Sequence, residues 1–554
     1  MRFAAQRCAN PYFYERNDFM KRNWFKVAIA ICLALCLCFS LTACRKVVVT
    51  DSSYYSDYGS DLPYNDDTSS VDDSSDAANS NTSGNTNKNN SSGGSTTTVG
   101  NNKNTNNNNT PTQQPSGGGI GSDTGKKLAD DKVVDMKGYN FTILSAHLPT
   151  KLSKNSTLFE ENLFARIKEV EQTYNCKITI LNSPYPDMET IQTYIAAGKK
   201  VADLLELSPY QMVAAKELGY IVPWDTCDTI NFDDPRWCES YTKLGYYDGR
   251  QYGLQFYRPE EVRYCVVFNK TLLKANGIDP NSIYDMVENG TWTFDKFQEI
   301  CVKITKDTNS DGKTDQFGFC GIPNYISWGL IGANGGSLVK DSGDKVVANF
   351  TDSKIVNALN YYDKWVNTQK IMYTNNHETS STPWDTVCNI DSINYFLKGN
   401  CGFLLHESWV LNQQVKPRAT FDYGMVPYPK GPDATSYTSN SMNARLMCLT
   451  TTNKNADKTA IIFNALARPV DDQLDWADDV QADYFQSNDS RSLDMYDLCL
   501  RNVTYDKAYA VDSVANTLNA VYADTIFARQ TTPGAKLASI GNTLDDPINK
   551  LFNK

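Results

Sequence analysis

One stretch of the sequence places oxygen-bearing side chains at the spacing of a calcium-binding loop. From Asp307 to Asp315 (DTNSDGKTD), side-chain oxygens stand at positions 1, 3, 5 and 9 and a glycine at position 6, as in the first nine positions of an EF-hand loop. The bidentate glutamate expected at position 12 is missing, because Gly318 stands there. The candidate ligands are Asp307, Asn309, Asp311 and Asp315. The stretch therefore predicts either a structural calcium site or a solvated turn rich in Asp and Asn.

Other kinds of reactive site leave no signature in the sequence. Only three histidines occur, His147, His377 and His406, which argues against a zinc site built on histidine. No G-x-S-x-G, H-E-x-x-H or P-loop motif is present. The formal net charge is −11, whereas nucleic-acid binding needs a basic surface. We therefore predict no nucleic-acid partner, while a pair of acidic residues suited to glycoside hydrolysis stays open.

The N-terminal residues have the parts of an export signal. Basic residues precede the apolar run 27–40 (VAIAICLALCLCFS), which is too short to span a bilayer comfortably. The next four residues, Leu-Thr-Ala-Cys at 41–44, resemble the bacterial lipobox, which implies a diacylglycerol on the Cys44 thiol and cleavage just before it. We therefore predict a lipoprotein signal peptide over residues 1–43, with Met20 as an alternative translation start, and a membrane anchor at Cys44.

The segment after Cys44 has the composition of a disordered chain. It is rich in Asn, Ser, Thr and Gly, and no aromatic residue occurs between Tyr64 and Tyr139. Such a segment buries too little apolar surface to offset its conformational entropy. As a flexible coil its ends would lie on the order of 50 Å apart. We therefore predict a tether over residues 44–128 that holds a folded domain, residues 129–554, away from the membrane.

Strand and helix patterns alternate once order returns. Alternating apolar residues predict strands, and apolar residues at helical spacing predict helices. The strands are predicted at 139–144, 176–181 and 201–207, and the helices at 158–174, 188–197, 211–218 and, farther along, 456–467. This alternation predicts an α/β fold with a parallel sheet. The folded part is too long for one such sheet, so two lobes are expected.

Successive blocks of this region resemble the extracellular solute-binding proteins of sugar ABC transporters. The blocks lie in family order at 198–225 (GKKVADLLELSPYQMVAAKELGYIVPWD), 248–254, 266–270, 290–297, 396–409 and 421–432. The resemblance covers roughly residues 137–470 and ends near Val470, after which we expect helices that pack on the lobes. It implies an α/β, two-lobed periplasmic-binding-protein-like (type II) fold with hinge strands and an interlobe cleft. Lobe closure would then trap the ligand.

The resemblance also implies where a ligand would bind. A sugar presents an apolar ring face and a rim of hydroxyls, so its site needs aromatic rings and hydrogen-bonding groups. Segment 322–337 is similar to a maltose-binding segment, which implies a stacking ring at Tyr325 with Trp328 behind it. The block ending at Trp409 implies a second aromatic platform, with Glu407 on the same loop.

Other ligand-binding candidates are polar or aromatic residues near strand ends and crossings. They are Ser208 and Tyr210 at the carboxyl end of a predicted strand, Tyr257, Arg258 and Arg263 near the first lobe crossing, and Trp384, Asp385 and Asn440 in predicted polar loops. Arg258 could equally form a salt bridge between the lobes.

The cysteines give little support to a disulfide framework. Ten follow Cys44, and they are scattered singly through a large domain. We predict that most are buried free thiols, with a local disulfide between Cys227 and Cys238 as the alternative.

Together these features predict a lipid-anchored, monomeric binding protein on the outer face of a Gram-positive cell membrane. It is expected to capture a carbohydrate, in particular an oligosaccharide, and to deliver it to an ABC transporter permease. It would need no cofactor other than the calcium ion considered above, and it would not be an enzyme. The alternatives are a cell-surface glycan-active enzyme, an adhesin or sensor on the same fold, and a binder of another solute such as a peptide.

Overall fold

The structure, a computed structural model, describes most of the region predicted to fold. The described residues are 128–553 without 155, 183–187, 238, 256–263, 375–383, 442–443, 471–476 and 487–488. The predicted signal peptide, the anchor at Cys44 and the tether before Leu128 lie outside the described residues, so those assignments remain predictions.

The described chain alternates strands and helices. The strands are β1 Tyr139–Ser145, β2 Cys176–Asn182, β3 Leu204–Leu207, β4 Ile221–Val222, β5 Tyr246–Tyr247, β6 Arg250–Gln251, β7 Gly253–Leu254, β8 Tyr264–Asn269, β9 Phe317–Gly321, β10 Val339–Ser342, β11 Lys345–Ala348, β12 Cys401–Glu407, β13 Tyr423–Val426, β14 Ser439–Asn440, β15 Leu446–Thr450 and β16 Val503–Thr504. The helices are α1 Leu158–Tyr174, α2 Met188–Ala196, α3 Pro209–Glu217, α4 Glu239–Leu244, α5 Lys270–Ala275, α6 Asn281–Glu288, α7 Phe294–Ile304, α8 Pro323–Ala333, α9 Ser353–Asp363, α10 Trp384–Leu397, α11 Ala456–Leu466, α12 Ala477–Tyr484, α13 Ser490–Arg501, α14 Asp512–Tyr522 and α15 Pro533–Phe552.

Local sequence signals explain where these elements begin and end. Helix α1 starts with a capping box, in which the Thr157 hydroxyl accepts the Glu160 amide and the Glu160 carboxylate accepts the Thr157 amide. It ends at Asn175, whose left-handed backbone (φ 49°) closes the helix. Because these signals are local, the predicted bounds of α1 match the observed ones.

The first lobe, lobe 1, is built on a sheet with strand order β2-β1-β3-β15-β4. Strands β1, β2 and β3 are parallel, and β15 runs antiparallel to β3, β4 and β7. The apolar residues of α1 and α11 bury one face of this sheet, and those of α2 and α3 contribute to a second core on the other face.

The second lobe, lobe 2, is built on a sheet with strand order β13-β8-β12-β9. Strand β8 lies antiparallel to β12 and β13, whereas β9 is parallel to β12. Side chains of β8 alternate between two cores, with Tyr264, Val266 and Phe268 on one side and Cys265 and Val267 on the other. Two separate sheets with their own cores confirm the two-lobed α/β prediction.

The C-terminal quarter of the chain consists mainly of helices that pack on lobe 2. Helices α12 to α15 contribute buried apolar residues to both lobe 2 cores, as the sequence predicted for the stretch beyond Val470. Strand β16 pairs in parallel with β14. At the end of α15, Leu551 and Phe552 pack against cores of both lobes, so this segment joins the lobes.

The cysteines whose side chains the structure describes are free thiols. Eight are recorded, and all but Cys176 are buried. Cys227 is among these free thiols, and Cys238, its alternative partner, lies outside the described residues. Within the described part of the chain, no helix is long and apolar enough to cross a membrane.

Candidate ligand-binding site

Tyr325 and Trp328 lie on α8, which starts directly after β9. The turn between β9 and α8 depends on Gly321, because a Cβ at this position would lie 2.3 Å from the Leu405 carbonyl oxygen. The three-residue spacing places both rings on one side of the helix, with centroids 6.1 Å apart. Tyr325 is partly exposed and Trp328 is buried. Trp328 therefore lies behind Tyr325, and only Tyr325 offers a ring face.

Glu407 and Trp409 lie at the end of β12, next to those rings. The Trp409 indole Nε1 donates a hydrogen bond to Glu407 Oε2 over 2.9 Å. His406 connects the two parts, because its ring centroid lies 5.9 Å from that of Tyr325 and 5.1 Å from that of Trp409. We call Tyr325, Trp328, His406 and Trp409 the aromatic cluster. The structure thus brings four predicted ligand-binding residues together in lobe 2, namely Tyr325, Trp328, Glu407 and Trp409.

Burial controls the charge of this cluster. His406 is fully buried, and burial lowers the pKa of its imidazole from 6.5 to about 4. The ring is therefore neutral at physiological pH, and its Nδ1 lies 2.8 Å from the Glu407 amide nitrogen. A neutral histidine therefore contacts both the Tyr325 ring and the Trp409 ring.

Three tyrosines that the sequence did not single out complete the wall of the cluster. The Tyr264 ring lies 5.3 Å from Tyr325 and 6.4 Å from Tyr428, and Tyr509 lies 5.4 Å from Trp328, all between ring centroids. Tyr264 begins β8 and pairs with Glu407 across the sheet. Because Tyr264 starts a strand just after the predicted lobe crossing, the sequence could have indicated it as a site residue. Tyr509 lies beyond the region that resembles the family, and no sequence signal pointed to it.

Several buried polar atoms around this region have no hydrogen-bond partner within the described structure. They are Tyr264 Oη, Trp328 Nε1, Ser408 Oγ, Tyr428 Oη, Asn440 Oδ1 and Ser441 Oγ. An unsatisfied buried polar group costs about 1–3 kcal/mol, so such groups are rare in folded proteins unless a ligand or water binds them. Their concentration beside the aromatic cluster marks it as a place for a ligand with many hydroxyls or amides.

On lobe 1, the two predicted residues after β3 have different roles. The Ser208 hydroxyl accepts the Gln211 amide over 3.3 Å, and the Gln211 side chain accepts in return, so Ser208 caps α3. Tyr210 is partly exposed and packs against cores of both lobes. Tyr210 therefore lies where the lobes meet, whereas the Ser208 hydroxyl is engaged by the helix.

A polar group that sequence reasoning missed lies at the same edge of lobe 1. Glu206 Oε2 accepts a hydrogen bond from Ser145 Oγ over 2.5 Å and lies 3.3 Å from His147 Nδ1. Burial by itself raises the pKa of Glu206, but hydrogen bonding to His147 and the charge of Arg445 bring that pKa below its ordinary value. Glu206 is thus a buried, ionised carboxylate at the carboxyl end of the sheet, where α/β folds bind ligands.

A family profile described as bacterial extracellular solute-binding protein matches residues 158–464, more than half of the chain. The chain belongs to this family.

Relatives agree with the family assignment. The diacetylchitobiose binding protein DasA of Streptomyces coelicolor is 24% identical over 249 residues, which make up 44% of this chain and 50% of the relative. The chain thus spans about half the length of this curated relative.

Two solved structures are similar to this solute-binding protein. An ABC substrate-binding protein from Listeria monocytogenes in complex with cycloalternan has a TM-score of 0.51 at 16% identity, covering 76% of this chain and 99% of that one. The GacH receptor of Streptomyces glaucescens, also solved with acarbose, has a TM-score of 0.54 at 15% identity, covering 75% of this chain and 99% of that one. These similarities support the two-lobed fold.

The remaining predicted ligand-binding residues of this solute-binding protein are less well placed. Tyr257, Arg258 and Arg263 lie outside the described residues, so their roles stay predictions. The prediction of a loop at Trp384 and Asp385 is wrong, because these residues open helix α10; their side chains are not described. Asn440 is also not in a loop. It belongs to β14, which directly follows Thr438, whose hydroxyl donates to the Gly332 carbonyl of α8 over 3.0 Å.

The predicted calcium loop forms a tight turn between α7 and β9. Asp307 accepts backbone amides with both carboxylate oxygens, including Ser310 N over 2.7 Å and Gly312 N over 2.8 Å. Asp315 Oδ1 accepts the Thr308 amide and hydroxyl over 2.8 and 2.6 Å. Within the described residues, no three His, Cys, Asp or Glu side chains converge as a metal site. Backbone hydrogen bonds therefore hold this loop together, and calcium binding remains a prediction.

Proposed function

We propose that this solute-binding protein captures a carbohydrate, in particular an oligosaccharide, between its lobes and delivers it to an ABC transporter permease. The observation that carries this proposal is the aromatic cluster with Glu407 and the unsatisfied polar atoms around it. Aromatic rings stack on sugar faces, and the unsatisfied groups match the hydroxyl rim. A relative named for binding diacetylchitobiose, and similar structures solved in complex with cycloalternan and with acarbose, support the same ligand class.

A thermal-shift screen tests this ligand class directly. The folded domain, residues 129–554, is heated with maltotriose, diacetylchitobiose, cycloalternan, glucose and a set of short peptides. A ligand that binds only the folded state stabilises it and so raises the melting temperature. At a ligand concentration of 100 times the dissociation constant, the stabilisation is about 2.7 kcal/mol. We expect shifts with at least one oligosaccharide and none with peptides. A response to peptides alone would overturn the proposal.

The same samples separate binding from catalysis. After prolonged incubation, each oligosaccharide is analysed by chromatography for shortened products. Because we propose a binding protein, we expect each sugar to remain intact. Hydrolysis would instead support the alternative of a glycan-active enzyme, in which two carboxylates act across the cleft.

We further propose that Cys44 carries a diacylglycerol anchor and that the protein acts as a monomer on the outer face of a Gram-positive membrane. A single acyl chain holds a protein only marginally, so a two-chain anchor is expected for stable retention. In a Gram-positive host, a Cys44→Ala variant should appear in the medium with unchanged ligand binding. Retention of this variant on the membrane would contradict the anchor, and a dimer in light scattering would contradict the monomer.

A further inference from the structure

Three adjacent strands of lobe 1 change from apolar to polar at the same edge of the sheet. Because side chains alternate along a strand, every second residue faces the same core. The residues that face this core are Phe141 and Ile143 of β1, Leu204 of β3, and Met447 and Leu449 of β15. The next residue on that face is polar in each strand: Ser145, Glu206 and Arg445. We call these three residues the polar rim of lobe 1.

The polar rim lies at the carboxyl ends of β1 and β3. Strand β15 runs antiparallel to β3, with Met447 opposite Glu206, so Arg445 just before β15 reaches the same edge. A switch from apolar to polar in three neighbouring strands serves no purpose in a core, where each buried polar group has a cost. At the ligand-binding edge of an α/β sheet it has an evident use.

One atom of the polar rim has no hydrogen-bond partner. Glu206 Oε2 is held by Ser145 and His147, while Glu206 Oε1 is buried and has no partner within the described structure. A buried carboxylate is tolerated only when its lone pairs are satisfied. The unsatisfied oxygen therefore calls for a donor that the described protein does not supply.

The chain next to Arg445 of the polar rim also contacts the surroundings of the aromatic cluster. Arg445 directly precedes β15 and follows β14 by five residues, and Asn440 of β14 and its neighbour Ser441 each have an unsatisfied oxygen. The Ser439 hydroxyl of β14 donates to the Tyr264 carbonyl over 3.0 Å, and Tyr264 contacts Tyr325. The strand that precedes Arg445 in the chain is therefore hydrogen-bonded beside the aromatic cluster.

We propose that Glu206 is the specificity-determining residue of lobe 1 and that its Oε1 accepts a hydrogen bond from one hydroxyl of the bound carbohydrate. This inference rests on the proposed function. A neutral donor fits better than an ammonium group, because the charge of Arg445 already acts on the carboxylate. Ser145 and His147 are positioning residues that fix the carboxylate through its other oxygen.

The test compares Glu206→Gln with a matched control in the same lobe. Glu169→Gln makes the same change at a carboxylate that is 61% exposed and pairs with Arg166. Binding of maltotriose, diacetylchitobiose and monodeoxy derivatives of each is measured by calorimetry. A hydrogen bond to a charged group contributes about 1.5–3 kcal/mol, so we expect Glu206→Gln to weaken binding about 10- to 100-fold and Glu169→Gln to leave it unchanged.

The monodeoxy sugars distinguish contact with the ligand from a structural effect. For the sugar that lacks the relevant hydroxyl, wild type and Glu206→Gln should bind equally, because neither can form the hydrogen bond. Loss of affinity by the same factor for every derivative would overturn the inference, since Glu206 would then act through the fold or through a bound water. Unchanged binding of the parent sugar by Glu206→Gln would also overturn it and leave the proposed function intact.

A second variant guards against failure of Glu206→Gln to fold. Ser145→Ala keeps the carboxylate but removes one of its positioning hydrogen bonds, so we expect a loss of about 2- to 10-fold, again absent for the matching monodeoxy sugar. Equal losses for all derivatives would contradict a positioning role. If wild type binds no carbohydrate of the screen at all, the proposed function fails and this inference fails with it.

Discussion

Lobe 2 brings aromatic rings to the candidate site, whereas lobe 1 brings a buried carboxylate. The Tyr325 and Trp409 rings both contact His406, which burial keeps neutral. Glu206 in lobe 1 stays ionised through hydrogen bonds from its neighbours. Ring faces suit many sugars, because stacking depends little on the direction of each hydroxyl. A fixed oxygen acceptor depends on one hydroxyl. The difference suggests that lobe 2 supplies general affinity and lobe 1 supplies discrimination.

Removing the rings of lobe 2 should have the largest effect. We expect the double variant Tyr325→Ala/Trp409→Ala to lose about 100-fold or more in affinity for every oligosaccharide that wild type binds, because truncated aromatic anchors each cost roughly 2 kcal/mol. Calorimetry measures the loss. Tyr246→Ala, at a ring that is 57% exposed in lobe 1, is the control and should bind as wild type does. A loss confined to one sugar would reverse the roles assigned to the two lobes.

The lobes should also respond to acid in different pH ranges. The folded-state pKa of His406 is lowered to about 4, so the unfolded state takes up a proton first and stability falls as pH drops from 6.5 toward 4. Between pH 6.5 and 5 the free energy of unfolding should fall by about 2 kcal/mol for this reason. The pKa of Glu206 is also lowered, so its contribution is lost only below pH 4.5.

Urea unfolding at pH 7.5 and 5.0 checks this difference. Wild type should lose more stability between the two values than His406→Gln does, because the variant lacks the buried imidazole. Glu206→Gln should keep the wild-type difference in this range and depart from wild type only in more acidic buffer. Equal pH dependence in wild type and His406→Gln would show that His406 is not protected from protons as its burial implies.

How much the sequence could predict also differs between the lobes. In lobe 2, Tyr325 and Trp409 were found because they lie inside blocks that resemble a family. Tyr264 and Tyr509 were missed, since packing brings them to the cluster from distant parts of the chain. In lobe 1, Glu206 stands alone in an apolar strand, LLEL. A lone acid in a buried strand is itself a signal, because carboxylates are rarely buried without a reason.

Local signals decided which elements were assigned correctly. Helical periodicity predicted the observed bounds of α1, which a capping box and Asn175 mark in the structure, and it placed α11 within one residue. Trp384 was assigned to a loop because its surroundings are polar. Ser-Thr-Pro directly before it is a helix-start signal that outweighs composition. Register and lobe crossings depend on long-range pairing, which no local pattern specifies.

Two serines at the edge of lobe 1 should separate stability from specificity. Ser208→Ala removes the cap of α3, so we expect a loss of about 1 kcal/mol in the free energy of unfolding and no change in sugar affinity. Ser145→Ala should change affinity, because it removes a hydrogen bond that positions Glu206. Urea unfolding and calorimetry on both variants give the comparison. A loss of affinity in Ser208→Ala would mean that the ligand competes for the capping hydroxyl.

Calcium should have the smallest effect, and it should be confined to lobe 2. The Asp307 carboxylate already accepts backbone amides through both oxygens, so an ion would have to share or replace these hydrogen bonds. Together with the missing position-12 ligand, this favours weak binding, with a dissociation constant on the order of 10⁻⁴–10⁻³ M. At 1 mM calcium the stabilisation would then be about 0.4–1.4 kcal/mol.

Melting curves in 1 mM calcium and in chelator should therefore differ by only a few degrees in wild type. Asp311→Asn should abolish that difference, because Asp311 supplies a carboxylate to the loop but accepts only the Lys313 amide over 2.8 Å and a longer contact from Asn309. Asp341→Asn, in the β10–β11 hairpin of the same lobe, is the control and should keep the wild-type difference between calcium and chelator. Equal curves for wild type with and without calcium would leave the loop as a turn held by its own backbone, and sugar affinity should be the same in either case.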